Sequence, residues 1–253
     1  MNSALSFTNS PYTSFMHETK IRLSNGIELH VEMGGNPQDP AIMLIMGLGA
    51  QMLFWPDFFC KSLIDQGYRV IRFDNRDIGL SSKIRHSGPR LNTFKLMGRF
   101  ALGLENQGAP YNLYDMAEDA ALLIEHLGLE TVSVLGASMG GMIAQILAAK
   151  YPEKVNTLGL IFTSNNQPLL PPPFPKQLLS LIGKPQSTDE DGIVNHSVKV
   201  FNLIGSPGYV NQLEVMQTAR KLYQRSYYPA GVLQQFLAIL CTGSLLQLSK
   251  QIQ

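Results

Sequence analysis

The chain has 253 residues, 45% of them apolar and 15% charged, with a formal net charge of +1. That is enough chain for one α/β domain with an inserted helical part. The near-zero charge excludes the broad basic field of a nucleic-acid binder, no stretch reaches the ~18 apolar residues of a membrane span, and residues 1–20 lack the basic start and apolar core of a secretory signal.

Residues 1–20 read as a flexible N-terminal arm, rich in Ser, Thr and Asn. Thr19–Leu23 and Ile27–Met33 alternate at period two around Ser24-Asn25-Gly26, which predicts a β-hairpin with an Asn-Gly turn. Ala41–Met46 is a continuous apolar run, the pattern of a strand buried on both faces, and it ends in Gly47-Leu48-Gly49-Ala50. A helix is expected from about Leu53 to Gln66, closed by Gly67. Tyr68–Phe73 reads as the next strand, followed by a polar loop from Asp74 to Ser82. Lys83–Pro110 reads as irregular and locally basic, with Lys83, Arg85, Arg90, Lys95 and Arg99.

Tyr114–Leu127 carries Met116, Ala120, Leu123, Ile124 and Leu127 at helical spacing, with Gly128 as its stop. Thr131–Leu135 predicts a strand, Met142–Lys150 a helix, and Val155–Phe162 another buried strand. Prolines at 168, 171, 172, 173 and 175 then read as an extended linker. Beyond them come helical patterns without strands, over 176–182, 194–203, 211–223 and 232–240. The expected division is an arm (1–20), an α/β core (21–166), and a linker with a helical cap (167–253). Cys60 and Cys241 each stand alone in apolar stretches, as free thiols of a reducing compartment do, and the default location is cytoplasmic. There is no Cys/His cluster with metal spacing and no phosphate-loop or dinucleotide pattern, so neither a metal nor a cofactor is expected.

One stretch carries chemistry. Gly136-Ala137-Ser138-Met139-Gly140 fits G-x-S-x-G between a strand and a helix, the setting of a nucleophile elbow. Gly136 and Gly140 let strand and helix pass closely while Ser138 takes a strained turn conformation. The hydroxyl then stands at a helix N-terminus, which favours developing negative charge.

With this elbow in hand, the chain resembles the α/β-hydrolase family, most closely its esterase, methylesterase and haloperoxidase-like branch with a helical cap. Two further segments carry the resemblance. Met46-Gly47-Leu48-Gly49, with Trp55 further on, is similar to the family's His-Gly-x-x…Trp oxyanion segment, with Met46 in place of His. Asp74-Asn75-Arg76-Asp77-Ile78-Gly79-Leu80-Ser81 is similar to its Asp-x-Arg-Gly-x-Gly-x-Ser loop, with Asp77 in place of Gly. The resemblance implies an α/β-hydrolase fold with a mostly parallel sheet and a helical cap. It implies a carboxylic ester as small-molecule substrate and an acyl-enzyme on Ser138. It gives the backbone N–H groups of Leu48 and Met139 the role of oxyanion donors, gives Gly47 and Trp55 places at the substrate pocket, and leaves Asp74 and Arg76 to brace their loop by charge. Lactone, thioester or C–C bond hydrolysis, perhydrolysis, or non-catalytic binding of a carbonyl ligand are the alternatives on the same scaffold.

In this family the acid and the His follow the serine in the chain. His196 is the single His after Ser138 and falls in the helical part, next to Asp189, Glu190 and Asp191; His126 suits a helix C-terminus; His17, His30 and His86 precede the elbow. No base and no acid is assigned. The last core strands, with the acid and the His, are expected to be missing from these 253 residues, leaving Val155–Phe162 as an exposed sheet edge able to self-associate.

Overall fold

A computed structural model of the chain describes residues 7–85, 88, 91–168, 170, 183, 185–206 and 211–252. Its strands are β1 (Thr8–Asn9), β2 (His17–Arg22), β3 (Glu28–Gly34), β4 (Ala41–Ile45), β5 (Arg69–Phe73), β6 (Val132–Ala137) and β7 (Val155–Ile161). Its helices are α1 (Asp57–Asp65), α2 (Thr93–Ala101), α3 (Leu113–His126), α4 (Met139–Lys150), α5 (Glu190–Ile204), α6 (Gln212–Arg225), α7 (Pro229–Thr242) and α8 (Leu246–Ser249). The chain divides into two compact units, residues 1–168 with 228–253, and residues 169–227.

In the larger unit the seven strands form one sheet in the order β1-β2-β3-β5-β4-β6-β7. The sheet is mixed. The pairs β1–β2, β2–β3 and β3–β5 are antiparallel, and β5–β4, β4–β6 and β6–β7 are parallel. Within the antiparallel half, β2 and β3 are joined by a tight turn through Ser24-Asn25-Gly26, with Gly26 at φ 85°. The parallel half follows from helical crossovers, which is why β4 and β6 read as apolar runs. The chain leaves β4 toward β5 on one side and returns to β6 on the other. The loops after β4 and β6 therefore diverge at the point where open α/β sheets hold their ligands.

The main core lies between the sheet and α3 and α4, with Met43, Ile45, Ile71, Leu113, Leu123, Ile143 and Leu147 all fully buried. On the other face Met16, Leu44, Trp55, Cys60 and Val70 make a second cluster. α3 starts with a capping box, in which the Asn112 side chain accepts from the Asp115 N–H and the Asp115 carboxylate accepts from the Asn112 N–H.

Several expectations change. Residues 7–20 are no loose arm: β1 pairs with β2, Met16 is buried, and the Ser10 hydroxyl donates to the buried Glu32 at 2.7 Å. The expected helix 53–66 splits at Pro56 into a 3₁₀ turn (Met52–Phe54) and α1. The stretch 83–110 holds a helix, α2, whose N-terminus is capped by Asn92 accepting from the Lys95 N–H. Residues 228–252 belong to the sheet unit rather than to a cap, and Leu237, Ala238, Leu240, Leu245 and Leu248 are buried there. The sheet is less parallel than expected, for its first three strands all pair antiparallel. Among the described residues no strand follows β7, which stands at the sheet edge with Leu160 and Phe162 exposed. The expected helix over 176–182 and most of the proline linker lie outside the described residues.

The smaller unit is helical. α5 starts at Asp189, whose side chain accepts from the Gly192 N–H, and α6 starts at Asn211, whose side chain accepts from the N–H groups of Leu213 and Glu214. Arg220 on α6 reaches Glu190 at 2.8 Å and Asp191 at 2.7 Å, tying the two helices together near their polar surface. Among the described residues no helix is long and apolar enough to cross a membrane.

Candidate functional site

The site is built on the turn from β6 into α4. Ser138 sits there at φ 54° and ψ −122°, a conformation a side chain rarely adopts. The turn is pinned from outside: the Ser138 N–H donates to the Ile161 carbonyl at 3.0 Å, and the Thr163 hydroxyl donates to the Ser138 carbonyl at 2.6 Å. Gly136 and Gly140 permit the crossing. A Cβ on Gly140 would lie 2.1 Å from the Ile45 carbonyl oxygen, and one on Gly136 would lie 2.4 Å from that of Gly140. The Ser138 side chain makes no capping hydrogen bond, and the residue is half-buried at the start of α4.

The loop after β4 reaches this serine. A Cβ on Gly47 would lie 2.9 Å from the Ser138 Cβ and 3.4 Å from its Oγ. Three successive peptides of the loop are held from three directions. The Asn75 amide donates to the Met46 carbonyl at 2.9 Å, the Ala50 N–H closes a turn onto the Gly47 carbonyl at 3.2 Å, and the Gly49 N–H donates to Gln235 Oε1 at 2.9 Å. Gly49 has φ +69°, the left-handed third residue of a type II turn. Among the described residues neither the Leu48 N–H nor the Met139 N–H has a protein acceptor. Met139 opens α4, where the first N–H groups lack intrahelical partners. A half-buried serine with unspent N–H donors at a helix N-terminus can take an anionic oxygen.

Trp55 lies in the second core cluster, stacked on Phe59 with ring centroids 5.7 Å apart. Asp74 and Arg76 do brace their loop, but not by pairing with each other. Asp74 accepts from the N–H groups of Met52 and Leu80, each at 2.9 Å, and so links the β5 loop to the segment after β4. Arg76 makes a two-pronged pair with Asp119 on α3, both contacts 2.6 Å, and lies over the Tyr111 ring.

Asp77 occupies the position where the resemblance has Gly. It keeps the left-handed backbone, at φ 71°, and its side chain accepts from the Ile84 N–H at 2.6 Å. Burial pushes its carboxyl above the usual carboxylate range, against the pull of Tyr111, the Ile84 N–H, Lys83 and Arg76. Burial, then the nearby Asp77, also pushes the Tyr111 hydroxyl up. A carboxyl raised in the native state costs stability as pH climbs from its unfolded value through its folded one, and the full cost persists above both. Asp77→Asn is therefore expected to raise the melting temperature at pH 7 and to change it less near pH 4. Asn tolerates the left-handed backbone and can keep the bond to Ile84. Equal shifts at both pH values would contradict this.

The histidines fall at separate places. His17 is exposed on β2, His30 is buried on β3 with Nε2 3.2 Å from Glu18, and His126 is exposed at the end of α3. His196 belongs to the 169–227 unit, where burial and then Lys199 lower its pKa. His86 lies outside the described residues. No group of three His, Cys, Asp or Glu among the described residues is arranged to hold a metal ion. Cys60 and Cys241 are both free thiols, and burial pushes each up.

Sequence reasoning missed Asn75, Thr163 and Gln235, the three side chains that hold the two loops. Gln234-Gln235 did carry a signal, as an amide pair inside the otherwise apolar Val232–Leu240.

Comparison with known proteins agrees with this architecture. Rhodomycin D methylesterase DnrP of Streptomyces peucetius is 27% identical over 209 residues, 75% of this chain and 63% of that protein. Rhodomycin D methylesterase DauP of Streptomyces sp. (strain C5) is 31% identical over 140 residues, 55% of this chain and 40% of that protein. The chain thus spans less than two thirds of either relative. Among solved structures, the enol-lactonase from Burkholderia xenovorans LB400 superposes with a TM-score of 0.66 at 20% identity, over 92% of this chain and 77% of that one. A structure from work on carboxylesterases of Nitrososphaera gargenis superposes with a TM-score of 0.62 at 18% identity, over 97% of this chain and 76% of that one. The family model described as the alpha/beta hydrolase fold matches residues 40–201. With that match over more than half its length, a sheet whose loops meet at Ser138, and a serine in the strained turn between β6 and α4, the chain belongs to the α/β-hydrolase fold family.

Proposed function

We propose that the chain carries the nucleophile and oxyanion half of a serine esterase site. Ser138 Oγ attacks the carbonyl carbon of a small carboxylic ester, and the carbonyl oxygen takes the negative charge. The N–H groups of Leu48 and Met139 receive that oxygen. Collapse expels the alcohol and leaves an acyl group on Ser138, which water removes. The observation that carries this reading is the Ser138 backbone, φ 54° and ψ −122°, with Gly47 packed against its side chain. Similarity to two proteins named as methylesterases supports an ester substrate. The reading assigns the base and the acid to no described residue. Turnover by these 253 residues is then low, while oxyanion stabilisation remains. The open edge of β7, with Leu160 and Phe162 exposed, supports self-association through that edge, and the two free thiols suit the cytoplasm.

The test is reaction with a fluorophosphonate, read by intact mass, on the chain and on Ser138→Ala. Stabilisation by donors and binding without a complete triad is worth roughly 10³–10⁴ over water. One slow adduct is expected, absent from Ser138→Ala. Adducts spread over several hydroxyls, or none on the folded chain, would remove Ser138 from the role. A carbonyl-binding protein without an activated serine would give that second result.

A further inference from the structure

We infer that Gln235 is a positioning residue for the oxyanion loop, acting from α7 through the peptide of Gly49; this rests on the reading of Leu48 as an oxyanion donor. The two residues are 186 positions apart, and Gln235 is fully buried. Its Oε1 accepts from the Gly49 N–H at 2.9 Å, and its Nε2 donates to the Arg76 carbonyl at 2.9 Å. One side chain thus joins the loop after β4 to the loop after β5. Arg76 is itself fixed by its double contact with Asp119, so the amide hangs from a rigid anchor.

The turn geometry gives this bond its weight. In the turn from Gly47 to Ala50 the central peptide is the one between Leu48 and Gly49. Types I and II of such a turn differ by a flip of that peptide. In the observed form the Gly49 N–H points at Gln235. Flipping it would break that bond and leave the buried Gln235 oxygen without a partner, a costly state. Gln235 therefore selects one turn form. The Leu48 N–H, on the preceding peptide, is left unspent and fixed in direction, which is what preorganised stabilisation of an oxyanion needs.

α7 is seated to make this contact. A Cβ on Gly231 would lie 2.1 Å from the Asp77 carbonyl oxygen, so the helix touches the β5 loop backbone directly. Val232 packs on Gly49, 3.2 Å from where its Cβ would stand. The neighbouring Gln234 instead donates to the Ile84 carbonyl at 3.0 Å, away from the Gly47–Ala50 turn.

The test compares Gln235→Met, Gln235→Glu and Gln234→Met in the full chain by two readouts. The first is hydrogen exchange of the Gly49 amide against the β4 amides as reference. The second is the rate of phosphonylation of Ser138. Gln235→Met keeps the volume and loses both bonds. It is expected to speed Gly49 exchange at least tenfold relative to β4, and to slow phosphonylation about tenfold, less than outright removal of a donor. Gln235→Glu keeps an acceptor for Gly49 and should retain most of its protection. Gln234→Met should move neither readout relative to β4. Unchanged Gly49 exchange in Gln235→Met, or equal effects from Gln234→Met, would overturn the inference. Should Ser138 take no adduct in the unmodified chain, the esterase reading fails, and Gly49 exchange still decides whether Gln235 holds the loop.

Discussion

Gly140→Ala is expected to cost about 3 kcal/mol of stability or more and to slow phosphonylation of Ser138 roughly 100-fold. The new methyl carbon would lie 2.1 Å from the Ile45 carbonyl oxygen, 2.7 Å from the Ile45 carbonyl carbon and 2.8 Å from the Met46 oxygen. All three are backbone atoms, so no side chain can rotate away. Either α4 lifts off the end of β4, or the end of β4 moves. The first route opens a core in which Met139, Ile143 and Ala144 are buried. The second carries Met46 and Gly47 with it and changes the distance between Leu48 and Ser138. A loss of that size corresponds to roughly 6–12 °C in melting temperature for a domain of this length. Thermal unfolding with adduct formation measured below the transition separates the two effects. A variant that melts normally yet labels slowly has moved the loop. One that matches the unmodified chain in both would show that the crossing gives way more easily than three backbone contacts should allow.

That glycine pair was legible in the sequence because its constraint is local. Strand, turn and helix are consecutive, and small residues on both sides of a serine are what a tight strand–helix crossing at that serine requires. β4 was legible for a similar reason, since burial on both faces leaves an unbroken apolar run, whereas β7, expected to be buried, stands at the sheet edge with its residues half-buried or exposed. What escaped was set by residues distant in the chain. Nothing near Ser10 says that its hydroxyl meets Glu32, so residues 7–20 looked loose. α2 was missed because Gly98 and the basic residues blur its apolar spacing, although Asn92 was a readable cap. The loop after β4 was readable as similar to the family's oxyanion segment, but its restraint comes from Asn75 and Gln235, on elements that pattern alone does not bring together. Arg76 was expected to brace its loop by charge, and it does so with Asp119, a partner on α3 that only the fold supplies.

Glu32→Ala should destabilise the protein by about 3–5 kcal/mol, the cost of leaving a buried charge without its partner. Glu32 on β3 and Arg72 on β5 are register partners in the sheet, and both side chains are fully buried. Arg72 Nε donates to Glu32 Oε2 at 2.8 Å, and Nη2 lies 2.6 Å from the same oxygen. The remaining Glu32 oxygen is taken by Ser10, and Arg72 Nη1 donates to the Trp55 carbonyl at 2.8 Å. Removing Glu32 would leave the guanidinium with that carbonyl and a partly exposed Asp57 as its compensation. The pair as a whole is a different matter. Replacing both residues by apolar side chains of similar size, as in Glu32→Leu with Arg72→Met, should recover much of the loss, because such exchanges remove two desolvation costs along with one attraction. The double variant would still release the Trp55 carbonyl, and with it one hold on the segment that follows the Gly47–Ala50 turn. It is therefore expected to regain melting temperature more completely than phosphonylation rate. If Glu32→Ala alone melts like the unmodified chain, the buried pair is not where this half of the sheet gets its register. If the double variant regains both readouts equally, the Trp55 contact does not reach Ser138.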